Sequence, residues 1–304
     1  MNKLKETQTE LTQHIEKAEI LLDALPYLRE FRHQTFVIKF GGAAMVDQEL
    51  KRNFALNIVL MKTIGLNPIV VHGGGLQIGK TLDRMGIKSR FVDGHRITDE
   101  ETLDVVEMVL VGKVNKEIVS LINSQGGNAV GLSGKDGGLI KAKRFRVKRM
   151  TEDLDRPEII DLGHVGEITQ VHPEILDSLN EGNFIPVIAP VGAGKNGETF
   201  NINADFVAGA IASALKAEKL VLLTDEPGVL NGKKKLISTL TKKEVNRLTR
   251  QKVITGGMLP KVKCCLDALE AGVSKTHIID GRIKHSVLLE IFTKEGIGTE
   301  IVCS

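Results

Sequence analysis

The sequence lacks tryptophan and has one tyrosine, and aromatic residues make up only 4% of its 304 positions. So little ring surface argues against a sandwich or barrel built on aromatic packing. It also leaves the basic runs at 141–149 and 233–235 without the stacking partners that a nucleic-acid surface uses, so they read as solvated hairpin faces. The net charge of +3 is small and gives no reason to expect nucleic acid or a membrane surface as a partner. Cysteine is scarce: Cys264, Cys265 and Cys303 form an odd set that suits a reducing compartment, with buried small hydrophobes as the default reading. No apolar run reaches the roughly 18 residues of a membrane span, and no signal-peptide core opens the chain. The expected location is cytoplasmic.

Glycine, by contrast, is plentiful at 31 residues, and it gathers in short clusters after apolar runs. Residues 35–40 read as a strand ending in Gly41-Gly42, and residues 67–72 as a strand ending in Gly73-Gly74-Gly75. Helical periodicity occupies 50–64, 76–85 and 99–123, followed by a strand at 128–133. A charged, hairpin-like stretch covers 139–167. Further strands are expected at 184–189, 219–224, 275–280 and near 298–302. Helices are expected at 204–216, 241–250, 258–271 and 286–292, with a second hairpin-like insertion at 225–236. Strands alternating with helices of this length predict an α/β fold with a mostly parallel central sheet and helices on both faces. Two lobes with a boundary near Pro190 are expected, although composition does not change there. Residues 1–33 stand apart. Leu4, Leu11, Ile15, Ala18, Leu22 and Leu25 share one helical stripe, and Pro26 predicts a kink or break. That stripe either lies on its own domain or meets another subunit.

Several phosphate-binding patterns compete. Gly192–Gly197 matches G-x-G-x-x-G, yet no helix start follows it to receive a pyrophosphate. Gly74–Thr81 matches the Walker A pattern after a strand, and 219–225 ends in an aspartate placed like a Walker B acid. The apolar spacing of Leu76, Ile78, Leu82 and Met85 runs a helix through that supposed loop, which would send Lys80 outward. Gly131–Lys135 lacks the last glycine of a nucleophile elbow. No histidine or cysteine cluster reads as a zinc site. Two other lysines sit in unusual places. Lys39 lies inside a buried strand just before Gly41-Gly42, where lysine needs an anionic partner. Lys261 follows Gly256-Gly257 near a helix start, and Asp205 lies at a strand-to-helix junction where capping is the plain explanation.

Seven segments in order carry a resemblance: IKFGG at 38–42, VVHGGG at 70–75, DGHRIT at 93–98, GLSGKD at 131–136, NINAD at 201–205, LLTDEPGV at 222–229 and GGMLPKV at 256–262. Together they resemble the amino-acid kinase family, within it the branch that phosphorylates the side-chain carboxylate of N-acetyl-L-glutamate in arginine biosynthesis. That resemblance implies an αβα sandwich, with 34–190 as a lobe for acetylglutamate binding and dimerisation and 191–304 as a lobe for ATP and arginine regulation. It implies Lys39, Lys261 and Asp205 as the catalytic set. It assigns Gly41, Gly42, Thr224, Asp225 and Gly228 to the nucleotide, and Gly74, Gly75, Arg96 and Asn201 to the substrate. ATP is expected with magnesium held through its phosphates, not in a protein cage. The N-terminal helix, with Tyr27, Glu290 and Gly296, resembles the arginine-inhibited type, which implies an arginine site and a hexamer built as a trimer of dimers. A non-catalytic arginine sensor on the same fold is the rival reading.

Overall fold

A computed structural model of the chain describes residues 2–92, 94–149 and 158–303. Asp93, which opens the DGHRIT segment, and the tip of the charged hairpin lie outside the described residues, as does the side chain of Leu4. Helix α1 (Asn2–Phe31) precedes strand β1 (Thr35–Phe40), helix α2 (Gln48–Thr63) and strand β2 (Asn67–His72). Asp47 caps α2 by accepting from the Leu50 N–H at 2.9 Å. Helix α3 (Gly75–Met85) leads to a short hairpin, β3 (Phe91–Val92) and β4 (His95–Arg96). Helix α4 (Glu100–Glu107) passes through a π-helical turn at Met108–Val114 into α5 (Asn115–Ser124), and β5 (Ala129–Ser133) follows.

Strands β6 (Ile140–Arg149) and β7 (Glu158–Val171) form the long hairpin, followed by α6 (Glu174–Glu181) and β8 (Ile185–Ala189). Strands β9 (Val191–Ala193) and β10 (Thr199–Asn201) then lead into α7 (Ala204–Ala214) and β11 (Lys219–Thr224). The chain closes with β12 (Thr239–Thr241), α8 (Lys242–Arg250), α9 (Met258–Glu270), β13 (Lys275–Asp280), α10 (Ser286–Ile291) and β14 (Thr299–Val302).

Eight strands form one sheet in the order β12-β14-β13-β11-β1-β2-β8-β5, in which only the β13–β14 pair is antiparallel. Alternation along β1 explains the two layers around it. Phe36, Ile38 and Phe40 join a core with Phe54 and Ile58 of α2 and Val287 and Ile291 of α10. Val37, on the opposite face, joins Val207 and Ile211 of α7 and Val262 and Cys265 of α9. Lys39 shares the Val37 face, so the pleat alone points it at the α7–α9 layer. The expected class therefore holds, with helices on both faces of a mostly parallel sheet.

Strand order reverses at β1, which has β2 on one side and β11 on the other. Open parallel sheets place their ligand crevice outside the carboxyl ends of the strands at such a reversal. Here those ends are Gly41-Gly42, Gly73–Gly75 and Thr224-Asp225.

Some expectations are corrected. Of the kink or break expected at Pro26, the break does not occur: helix α1 continues through it, and Tyr27 and Phe31 pack the last turn against the core. In the described chain the stripe residues Leu11, Ile15 and Leu22 stay exposed, so that part of the helix does not cover its own domain. A small closed barrel of β10-β7-β6-β9 also forms, and its strands contribute Ile140, Ala142 and Phe200 to the buried core. Helix α6, the β3–β4 hairpin and β12 were not anticipated.

Candidate active site

Lys39 reaches across the crevice from β1, and Lys261 reaches in from the first turn of α9. Asp205, in the first turn of α7, holds both: its Oδ1 lies 3.1 Å from Lys39 Nζ and its Oδ2 2.7 Å from Lys261 Nζ. All three are nearly inaccessible, with side-chain exposures of 11%, 14% and 7% for Lys39, Lys261 and Asp205. Burial alone would raise the Asp205 carboxyl, yet the two ammonium groups outweigh it and hold its pKa near about 2. Burial likewise pushes the Lys39 ammonium below the ordinary lysine range, against the pull of Asp205. Two cations share one carboxylate, so the cluster has one positive charge in excess and faces the crevice as an anion site.

Local folding explains how the cluster is held. Asn203 caps α7 by accepting from the Asp205 N–H at 2.8 Å, so the plain capping role falls to Asn203 and leaves the Asp205 carboxylate free for the lysines. The Cys264 thiol donates to the Asp205 carbonyl at 2.9 Å, and a Cβ on Gly209 would meet that sulfur at 2.5 Å. Helices α7 and α9 therefore approach closely, with both N-termini near the lysine pair. Burial raises the Cys264 thiol well above its usual range and Cys265 to about 12, which makes both inert packing residues.

The glycine turns pack around these groups. A Cβ on Gly41 would collide with Lys39 Nζ, so glycine there lets the ammonium fold back over the backbone. Gly42 adopts φ 68° and begins a 3₁₀ turn whose Ala43 N–H donates to Asp225 at 2.6 Å. That bond ties the end of β11 to the turn after β1. Gly74 precedes α3, and a Cβ there would meet Leu110 of the π-helical turn at 2.5 Å. The first amides of α3 stay open to an anion. Helix α3 occupies the Walker A match from Gly75 onward, and Lys80 is exposed on it. The G-x-G-x-x-G match is the turn between antiparallel strands β9 and β10.

Arg96, on β4, donates to the Gly75 carbonyl at 3.0 Å and lies 4.6 Å from the Phe91 ring centroid. This fixes its guanidinium beside the start of α3. Asn201 ends β10 and donates to Thr98 Oγ1 at 3.3 Å. Thr224, Asp225, Gly228 and Lys261 line a 390 Å³ cavity together with Val229 and Met258, a size suited to a small organic ligand. A larger cavity of 740 Å³ between the β6–β7 hairpin and α7, α8 and α9 touches neither Lys39 nor the glycine turns, so its size does not make it the reaction site.

His72 was read only as part of a motif, but it has a structural task. Asn115, just after the π-helical turn, donates to the Val187 carbonyl at 2.8 Å and presents the same amide nitrogen to His72 Nε2 at 3.2 Å. Nε2 must then accept, so the ring proton sits on Nδ1 and is donated to the Gly73 carbonyl at 2.8 Å. Burial lowers the imidazole to about 4 and keeps it neutral. The pair fixes the Gly73–Gly75 turn from below.

Glu290 and Gly296 lie elsewhere, on the far side of β13. Glu290 is 5% exposed and accepts from His277 Nδ1 at 2.7 Å and from the Ile297 and Gly298 amides at 2.6 and 3.0 Å. Burial works against its charge, but these donors hold its carboxyl below the usual range. Gly296 has φ 62°, and a Cβ there would meet Glu290 at 2.7 Å. Tyr27 packs edge-on against Phe292 at 6.4 Å, which seats the end of α1 beside the helix that carries Glu290.

The sequence profile of the amino acid kinase family matches residues 34–280. An acetylglutamate kinase of Syntrophus aciditrophicus is 60% identical over 287 residues, covering 94% of this chain and 97% of the relative. One from Syntrophobacter fumaroxidans is 61% identical over 288 residues, covering 95% and 97%. Among solved structures, an N-acetylglutamate synthase from Neisseria gonorrhoeae with coenzyme A and N-acetyl-glutamate superposes with a TM-score of 0.82 at 25% identity. The match covers 94% of this chain and 63% of that one. Carbamate kinase from Giardia lamblia bound to AMP-PNP shares the fold at a TM-score of 0.62 and 15% identity, over 90% and 99% of the two chains.

Proposed function

The chain belongs to the amino acid kinase family, and on that premise we propose that it transfers the γ-phosphoryl group of ATP to the side-chain carboxylate of N-acetyl-L-glutamate, in arginine biosynthesis. One observation carries the reading: Lys39 and Lys261 converge on Asp205 at the mouth of the glycine turns, a buried cationic site built for charge that moves during phosphoryl transfer. Relatives named acetylglutamate kinase at about three-fifths identity support the acceptor.

The acceptor carboxylate has an ordinary pKa of about 4.3 and is ionised at neutral pH, so no general base is required. Its oxygen attacks the γ-phosphorus, the bond to the β–γ bridging oxygen breaks, and ADP leaves with that electron pair. Lys39 and Lys261 neutralise charge on the transferring group, while Asp205 keeps both ammonium groups in register. The glycine-turn amides hold phosphate and carboxylate oxygens, and Arg96 offers a planar fork to the α-carboxylate. Asn201 meets the acetylated nitrogen. Thr224, Asp225 and Gly228 border the nucleotide. Magnesium fits as an ion carried by the ATP phosphates and water, since Asp205 is engaged by the lysines and Asp225 by the Ala43 amide.

Arginine inhibition and a hexameric trimer of dimers are the finer part of the proposal. The exposed apolar residues of α1 support a partner helix, and Tyr27 beside Phe292 links that helix to the neighbourhood of Glu290. Three protein donors occupy Glu290, and its Oε1, which accepts only from His277, keeps a lone pair for a guanidinium. The test is an ADP-release assay with N-acetyl-L-glutamate against free L-glutamate, with and without arginine. Turnover only with the acetylated substrate, suppressed by arginine, is expected. Equal turnover with free glutamate removes the acceptor assignment, and indifference to arginine removes the regulatory one.

A further inference from the structure

We propose that the buried hydroxyl of Thr98 fixes which way the Asn201 side-chain amide points, and so makes Thr98 the positioning residue for recognition of an N–H group on the substrate. The inference rests on the acetylglutamate reading above and extends it to a residue that touches no substrate. Thr98 is fully buried. Its hydroxyl proton is donated to the Arg96 carbonyl at 3.0 Å, a group that can only accept. Having spent its one proton, Oγ1 can only accept from Asn201, which lies 3.3 Å away through Nδ2. The opposite amide orientation would place two acceptor oxygens against each other, because the Thr98 proton is already committed.

The consequence lies at the other end of the amide. With Nδ2 turned toward Thr98, Oδ1 points away from it and takes no hydrogen bond among the described residues. An acceptor is therefore presented to the ligand, matched to an acylated amine and mismatched to an ester oxygen at the same place. The hydroxyl itself is held rigidly. Thr98 N–H donates to the Leu162 carbonyl at 2.9 Å and its carbonyl accepts from His164 N–H at 2.6 Å, on either side of Gly163. Gly163 has φ 74°, and any side chain there would strike the Thr98 carbonyl. Strand β7 then pairs Val165 with Asn201, which closes the loop of constraints.

The experiment compares calorimetric binding of N-acetyl-L-glutamate with that of 2-acetoxyglutarate, its ester analogue, which carries oxygen in place of the N–H. In the wild-type chain the amide ligand binds more tightly. Thr98→Val removes the hydroxyl and frees the amide to rotate, so affinity for the amide ligand should fall about tenfold while the ester ligand changes less than about threefold. Thr98→Ser keeps the hydroxyl and should retain the wild-type preference. If Thr98→Val does not fold, Thr98→Ala carries the same test. In an Asn201→Ala background, Thr98→Val should add no further loss, because Thr98 acts through Asn201. An unchanged amide-to-ester ratio in the folded variant overturns the proposal, as does Thr98→Ser behaving like Thr98→Val or an additive double variant. Failure of the wild-type chain to bind N-acetyl-L-glutamate at all would instead strike the acceptor assignment.

Discussion

Replacing Lys39 by methionine isolates the charge that the site is proposed to supply. The straight apolar stem stays on the α7–α9 face of β1, and only the ammonium is removed. Asp205 keeps Lys261 at 2.7 Å, so the carboxylate is not stranded and the fold should persist. The Lys39 side chain is 11% exposed, so solvent screens it weakly. At about 4 Å from a developing unit charge, with an effective dielectric of roughly 20, an ammonium contributes about 4 kcal/mol. Phosphoryl charge is spread over several oxygens and partly present before transfer, so the differential share is nearer about 3 kcal/mol. That corresponds to a loss of kcat on the order of a hundredfold. The Michaelis constants should move by less than about threefold, because the interaction strengthens only in the transition state. Steady-state ADP release at saturating ATP and N-acetyl-L-glutamate reads the effect, with a thermal melt confirming the fold. A folded Lys39→Met variant that keeps kcat within about threefold of wild type would refute the assignment of Lys39.

Lys80→Ala should leave turnover unchanged within about twofold, since Lys80 is exposed on α3; a collapse there would return the phosphate site to the Walker A match. Asp205 has its pKa lowered from 3.8 to about 2, so its stabilising effect is complete above pH of about 4 and is lost as pH falls toward 2. The loss amounts to roughly 2 kcal/mol. Denaturant melts from pH 5 to 2 should therefore slope more steeply for wild type than for Asp205→Asn, and parallel slopes would contradict the ion-pair account. Deleting residues 1–25 should reduce the proposed hexamer to a dimer and weaken the proposed arginine inhibition. Light scattering that shows the same mass with and without the segment would exclude α1 as the contact.

Much of this arrangement was legible because the signals were local. The apolar run of β1 with a lysine before two glycines could hardly be accommodated except at a strand end beside an anion site. The spacing of Leu76, Ile78 and Leu82 correctly placed helix where the Walker A pattern wanted a loop. What escaped the sequence depends on contacts between distant segments. Thr98 acquires its meaning only when β7 and β10 bring Gly163 and Asn201 to it. The π-helical turn at Met108–Val114 shows no signature in its residues, yet it brings Leu110 over Gly74 and Asn115 under His72. Pro26 does not end α1, whose last turn is packed against the core by Tyr27 and Phe31. The missed helix α6 did carry punctuation, with Pro173 before it and Gly182 after it.

The central claim is that a carboxylate oxygen, not a hydroxyl or a water, receives the phosphoryl group. An acyl phosphate reacts with hydroxylamine to give a hydroxamate, whereas a phosphate ester and free phosphate do not. Incubation with ATP, magnesium and N-acetyl-L-glutamate in the presence of hydroxylamine should therefore yield the side-chain hydroxamate in a one-to-one ratio with ADP. ADP released without hydroxamate would contradict it.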